Sequence, residues 1–212
     1  MEFVLTAVDE GLANAWDRHC GDLPGVRIHQ GSILDVECDA VVSPANSFGF
    51  MDGGIDAIYV RHFGSDLQDQ VRSLIQSRHF GEMPVGVADI LETGDSRVPF
   101  LILAPTMRVP MILTESVNAY LAARAVFLLV QQGKFDSGPK NGTSIRDVIK
   151  TVAFPGLGTG VGQLGPSQCA HQFRAAFEDF VLGTYRFPRS WAEASERHQL
   201  LYTDRPRKLQ QS

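Results

Sequence analysis

DAVVSPANSFGFMDGGIDAIYVRHFG, residues Asp39 to Gly64, places a strand, a loop and a helix in immediate succession. The apolar run Ala40–Val42 reads as a buried strand that ends in Ser43-Pro44-Ala45-Asn46. Flexible chain follows, then Gly53-Gly54, then Ile55-Asp56 opening a segment with helical spacing. Strands usually end in ordinary turns. A glycine pair at the mouth of a helix instead leaves backbone N–H groups bare, where an anion can approach them and the helix dipole favours negative charge.

Working outward, strand and helix patterns alternate along most of the chain. FVLTAV reads as a strand, and EGLANAWDRHC as a helix with Leu12, Ala15 and Trp16 at helical spacing. GVRIHQGSI precedes the opening stretch as a further strand. After it, Ser65 or Asp66 caps a helix whose Leu67, Val71, Leu74 and Ile75 form an apolar stripe. VGVADILE and FLILAPT read as strands, and TESVNAYLAARAVFLLVQQ as a long helix capped by Thr114. DSGPKNGTS reads as a loop, IKTVAFPGL as the last strand and GPSQCAHQFRAAFEDFVLG as the last core helix. Such alternation predicts an α/β protein with a mixed, mainly parallel sheet and helices on both faces. The domain is expected over residues 1–183. An extension over 184–212 carries one short helix from Ser190, with Trp191 and Leu200 packing back, and a basic tail.

Composition sets outer bounds. With 44% hydrophobic and 20% charged residues, the 212-residue chain fits one large domain with an extension. Its longest apolar piece, AYLAARAVFLLV, is interrupted by Arg124 and is too short to span a bilayer. The start MEFVLTAVDE lacks a basic region and a cleavage-type site, so a cytoplasmic setting is expected. A net charge of −5 argues against wholesale nucleic-acid binding, which needs a broad basic face. The one dense basic run, Arg205 to Lys208, reads as a solvated tail. Cys20, Cys38 and Cys169 are too widely spaced for a disulfide framework or a zinc site and read as buried free thiols. The six histidines lack paired ligand spacing, so no metal cofactor is expected. Asn141-Gly142-Thr143 reads as a turn.

A second glycine loop, Gly156-Leu-Gly-Thr-Gly-Val-Gly162, follows the last strand. It has no lysine where a P-loop needs one, and its glycines fall out of register with the dinucleotide fingerprint. Ligands of open α/β sheets bind beyond the carboxyl ends of the strands, where both glycine loops lie. Together they suggest a diphosphate site.

At this point the chain resembles the macro domains, a three-layer α/β/α family that binds ADP-ribose. Ser43-Pro-Ala-Asn46 is similar to the family's Asn-Ala-Ala-Asn, and Asp52-Gly-Gly-Ile-Asp56 through Gly64 to its Gly-Gly-Gly-Val-Asp run. Gly31-Ser-Ile-Leu with Asp39-Ala-Val-Val, and Ala153-Phe-Pro-Gly-Leu-Gly-Thr-Gly-Val161, resemble two more of its motifs in the same order. The resemblance implies that Asn46 bonds the distal ribose and that Asp56 positions or activates water there. It implies ligand contacts from Ser32 and Ile33, from Ala45, from Gly53, Gly54 and Ile55, and from Gly156, Gly158, Thr159, Gly160, Val161 and Gly162. The partner it implies is ADP-ribose or an ADP-ribosylated macromolecule, with no cofactor. The sequence departs from the pattern at four places. Ser32 replaces an aspartate that accepts from adenine, Val60 a histidine, Gly162 an aromatic, and Asp52 the first of three glycines. Asp52 either turns away from the diphosphate or is itself catalytic. Three functions stay open: removal of ADP-ribose from protein or nucleic acid, non-catalytic ADP-ribose binding, and a macro-like interaction scaffold. Arg61 and His62 read as surface or packing residues, while Thr106 and Met107 are left undecided.

Overall fold

The structure, a computed structural model, describes residues 1–207. Six strands, β1 (Glu2–Ala7), β2 (Val26–Gln30), β3 (Ala40–Ser43), β4 (Asp89–Glu92), β5 (Phe100–Leu103) and β6 (Thr151–Phe154), form one sheet in the order β2-β1-β6-β3-β5-β4. Every pairing is parallel except that of the edge strand β4 with β5. The interior strands β3 and β5 are buried at every position, which is why they read as unbroken apolar runs rather than as alternating ones.

Helices cover both faces. α1 (Glu10–Cys20), α4 (Asn118–Gln132) and α6 (Pro166–Phe180) lie on one, packing Trp16, Phe127, Phe173 and Phe177 against Phe3 and Phe154. Their rings meet edge to face, Phe3 with Phe127 at 5.1 Å and Trp16 with Phe173 at 5.5 Å. α2 (Gly54–Phe63) and α3 (Leu67–Arg78) lie on the other, where Tyr59, Val71 and Ile75 cover Val4, Val41, Leu101 and Ala153. The three-layer α/β/α arrangement is therefore as expected. All three cysteines are buried free thiols, and burial pushes each thiol up to about 12.

Local expectations need correction in five places. Asp66 stands at the N-cap of α3, but its side chain makes no capping bond. Thr114 caps nothing. α4 begins four residues later, and the Asn118 N–H finds Ser116 Oγ at 3.4 Å while Thr114 O is taken by Gln168 Nε2 at 2.9 Å. Only the last half of VGVADILE pairs as β4, because Pro84 and Val87 close a turn before it. A single helical turn, α5 (Ile145–Val148), stands between DSGPKNGTS and β6. The extension forms one helix, α7 (Trp191–Leu200), with Ser190 at its N-cap, yet Trp191 is 67% exposed and Leu200 44%. That helix is held by polar contacts. His171 Nε2 meets Leu200 O at 3.0 Å, and buried Gln199 bonds both the N–H and the carbonyl of Arg207. Lys208, the last residue of the basic run, lies outside the described residues.

Candidate functional site

The chain runs from β1 to β2 on one side of the sheet, then crosses to β3, with β6 inserted between the two halves. Loops leaving β1 and β3 therefore diverge, and a cleft opens between them at the strands' carboxyl ends. Its volume is about 360 Å³. Every site residue expected from sequence lines it: Ser32 and Ile33 after β2, Ala45, Asn46 and Gly53–Asp56 after β3, and Gly156, Gly158 and Thr159–Gly162 after β6. Thr106 and Met107, left undecided by the sequence, line it as well. Thr106 Oγ1 donates to Pro44 O at 2.8 Å, welding the loop after β5 to the loop after β3.

At the entry to α2, Gly53 is extended and Gly54 adopts φ +57°, a left-handed conformation that glycine takes at no steric cost. The turn points the backbone N–H groups of Gly54, Ile55 and Asp56 out of the first helical turn, and none donates to a described residue. In the facing loop, Gly158 adopts φ +73°, and the N–H groups of Thr159, Gly160 and Val161 likewise lack a partner among the described residues. Gly162 is glycine for a different reason: a Cβ there would sit 2.5 Å from Gly158 O and 2.8 Å from the Leu113 side chain. The close approach is fixed by Leu113 N–H donating to Gly162 O at 2.8 Å. Two stretches whose amides have no partner among the described residues thus line one cleft, and unpartnered amides are how a backbone holds an anion without a cation.

The lining holds no Lys, Arg or His; its charged side chains are Asp9, Asp52 and Asp56. Asp9 caps α1, accepting from the Leu12 N–H at 2.8 Å. Asp52 is exposed. Asp56 is only 6% exposed, and Ser43 Oγ, at the buried end of β3, donates to its Oδ1 at 2.5 Å. Burial pushes the Asp56 carboxyl up to about 7, against the smaller downward pull of the Ser43 hydrogen bond. Its Oδ2 accepts from no described residue and is left to the cleft. A carboxyl that loses its proton near neutrality is suited to taking one from water.

Asn46 also shapes its own loop, the ordinary turn-forming use of an asparagine. Its Oδ1 accepts from the Phe48 and Phe50 N–H groups at 3.1 and 3.2 Å, and its Nδ2 donates to Phe50 O at 2.8 Å. The side chain therefore staples the loop 46–50 and keeps one amide hydrogen for a ligand. Ser32 Oγ accepts from the Leu34 N–H at 3.3 Å, which leaves its O–H free to donate. Two residues were missed. Asp9 was findable, because it follows the carboxyl end of β1; Ser43 had only the weak signal of a hydroxyl closing an apolar strand.

Comparison with known proteins bears on the family and the fold. The family model described as Macro domain matches residues 42–173. A protein of Aquifex aeolicus, described as uncharacterized, is 31% identical over 137 residues, which cover 65% of this chain and 71% of that protein. One of Aeropyrum pernix, also described as uncharacterized, is 30% identical over 145 residues, 68% of this chain and 66% of that one. Among solved structures, the macrodomain of Mycobacterium tuberculosis DarG superposes with a TM-score of 0.54 at 18% identity, covering 71% of this chain and 88% of that chain. A mutant Oceanobacillus iheyensis macrodomain with ADPR gives 0.57 at 17%, covering 81% and 86%. The Trypanosoma brucei macrodomain in complex with ADP-ribose gives 0.51 at 18%, covering 78% and 60%. At those identities the structural likeness is one of fold.

Proposed function

Because this chain belongs to the macro domain family, we propose that its cleft binds ADP-ribose, with the diphosphate held between the N-terminus of α2 and the loop Gly158–Val161. The observation that carries this reading is the pair of unpartnered amide rows lining a cleft that has no cationic side chain. A nucleotide held by lysine would leave those rows without a purpose, and a lone phosphate would occupy only one of them. A diphosphate fits both, since each phosphate takes N–H donors from one side. Calorimetric titration of ADP-ribose into the protein tests this, and a flat titration at millimolar ligand would sink it.

A second reading has its own observation, the cleft-facing Asp56 carboxyl that ionises near neutrality. In that reading the protein hydrolyses ADP-ribosyl linkages. Asp56 takes a proton from water, the oxygen adds to the anomeric carbon of the distal ribose, and the bond from that carbon to the acceptor breaks, the acceptor leaving with the bonding pair. The oxocarbenium-like character of such a step makes positioning of the water the protein's main task. Ser43 holds the carboxyl in place for it. Release of ADP-ribose from a modified protein by the wild type but not by Asp56→Asn supports hydrolysis. Binding without release in both leaves the protein a reader.

A further inference from the structure

The mouth of the cleft carries a collar of exposed apolar side chains supplied by four different loops or helix starts. Val8 follows β1, Phe50 and Ile58 flank the start of α2, and Val161 follows β6; all four line the cleft and are exposed. Between β5 and α4, Pro110 lines the cleft, and its neighbours Val109, Met111 and Ile112 stand 45%, 47% and 52% exposed. This last segment is fixed at both ends. Ser47 N–H donates to Met107 O at 3.1 Å, and Leu113 N–H to Gly162 O at 2.8 Å, so it spans from one glycine loop to the other. Single exposed apolar residues are ordinary on a protein surface. Convergence of several on one opening is not, and such patches mark surfaces that another molecule covers.

Charge narrows the occupant. Asp9 and Asp52 line the opening. Of the nearby cations, Arg108 is committed to Glu82 at 2.6 Å, and Arg72 lies over the Phe50 ring at 4.6 Å. The whole chain is acidic, with net charge −5. A nucleic-acid strand would bring phosphates against two carboxylates and find no free cation in the lining. A polypeptide meets the same surface with complementary groups. We infer that the collar docks the protein segment that carries the ADP-ribose, selecting acceptors in which apolar and basic side chains flank the modified residue. The inference rests on the ADP-ribose reading of the cleft and adds to it the class of macromolecule.

Four probes test it, each joined to ADP-ribose by a hydrolysis-resistant linkage where one is needed: free ADP-ribose, a modified peptide with leucine and lysine flanks, the same peptide with serine and aspartate flanks, and a modified single-stranded oligonucleotide. The leucine and lysine peptide is expected to bind about tenfold tighter than free ADP-ribose, the gain from covering two or three half-exposed side chains. In the double variant Met111→Ser/Ile112→Ser the gain disappears while free ADP-ribose binds as before. Equal affinity for all probes, a gain shared by the oligonucleotide, or a gain that survives in the double variant overturns the collar alone. So does self-association of the wild type that the double variant abolishes, since the occupant is then a second copy. Failure of free ADP-ribose to bind overturns the underlying reading, and the collar with it.

Discussion

Replacing Gly53 by glutamate tests whether the diphosphate sits at the start of α2. Gly53 sits at φ −139° and ψ 164°, ordinary extended backbone, and an added Cβ meets no atom within 4 Å. Folding stability should therefore change by less than about 1 kcal/mol, the usual range for an unstrained change at a helix N-cap. Binding should not survive so well. A carboxylate about 5 Å from a phosphate charge is opposed by about 3 kcal/mol at an effective dielectric near 20. Solvent screening at this open position cuts that by about half, so the loss in ADP-ribose affinity should be about tenfold to a hundredfold. Gly53→Ala is the neutral control and should bind within about threefold of wild type. Gly54→Ala differs in kind: at φ +57° a side chain costs about 1–2 kcal/mol in the fold itself. Calorimetry and thermal unfolding on the three variants give both numbers. Wild-type affinity in a folded Gly53→Glu protein would refute the placement of the diphosphate at α2.

Other expectations use the same coordinates. Gly162→Ala forces a Cβ against Gly158 O and Leu113 and should destabilise by about 1–3 kcal/mol, whereas Gly160→Ala opens into empty space and should shift stability by less than about 0.5 kcal/mol; chemical denaturation distinguishes them. Asp56 ionises at about 7 in the folded chain, above its ordinary value of 3.8, so its contribution to stability is fully present below about pH 4 and is lost as pH rises to about 7. The loss is on the order of 4 kcal/mol, and Asp56→Asn should abolish it and unfold at a higher temperature than wild type at pH 8, as scanning calorimetry across that range would record. Ser43→Ala removes the donor that pulls the Asp56 carboxyl down, so the acid limb of any hydrolytic pH profile should move to higher pH while ADP-ribose affinity stays put. An unmoved profile in that variant would mean that Ser43 only fills space.

Where sequence legibility stopped follows from the range of the interactions involved. α1 was readable to the residue because its signals are local: Leu12, Ala15 and Trp16 recur on one face. The parallel sheet was readable because β3 and β5, buried on both sides, carry unbroken apolar runs. Thr114 misled because a hydroxyl before a helical pattern is a good cap only if the chain is free to turn there, and Leu113 is pinned to Gly162. Trp191 misled because its side chain is a strong hydrophobic signal while α7 is held by the backbone of Leu200 and by Gln199. In the cleft, the glycines were legible as types, but the reasons for them were not. Gly158 needs a positive φ, and Gly162 needs room beside Leu113, a residue 49 positions earlier in the chain.

Asp56 shows most clearly what enclosure adds. From sequence, an aspartate in the first turn of a helix has an ordinary explanation, since its charge complements the helix dipole without any chemistry. That role is served by an ionised, exposed carboxylate whose affinity for a proton is lowered by the neighbouring N–H groups. Asp56 has the opposite properties: it is 6% exposed, its proton affinity is raised, and its bonded partner is a side chain on a strand rather than the helix backbone. Burying a carboxyl at such a position costs stability at neutral pH, and the dipole alone gives no reason to accept that cost when the same residue on the surface would gain the favourable term for nothing. The Ser43 pairing and the open Oδ2 therefore mark Asp56 as a residue placed for what occupies the cleft. Its pH-dependent stability is the property to measure, because it reads the enclosure directly and requires no ligand.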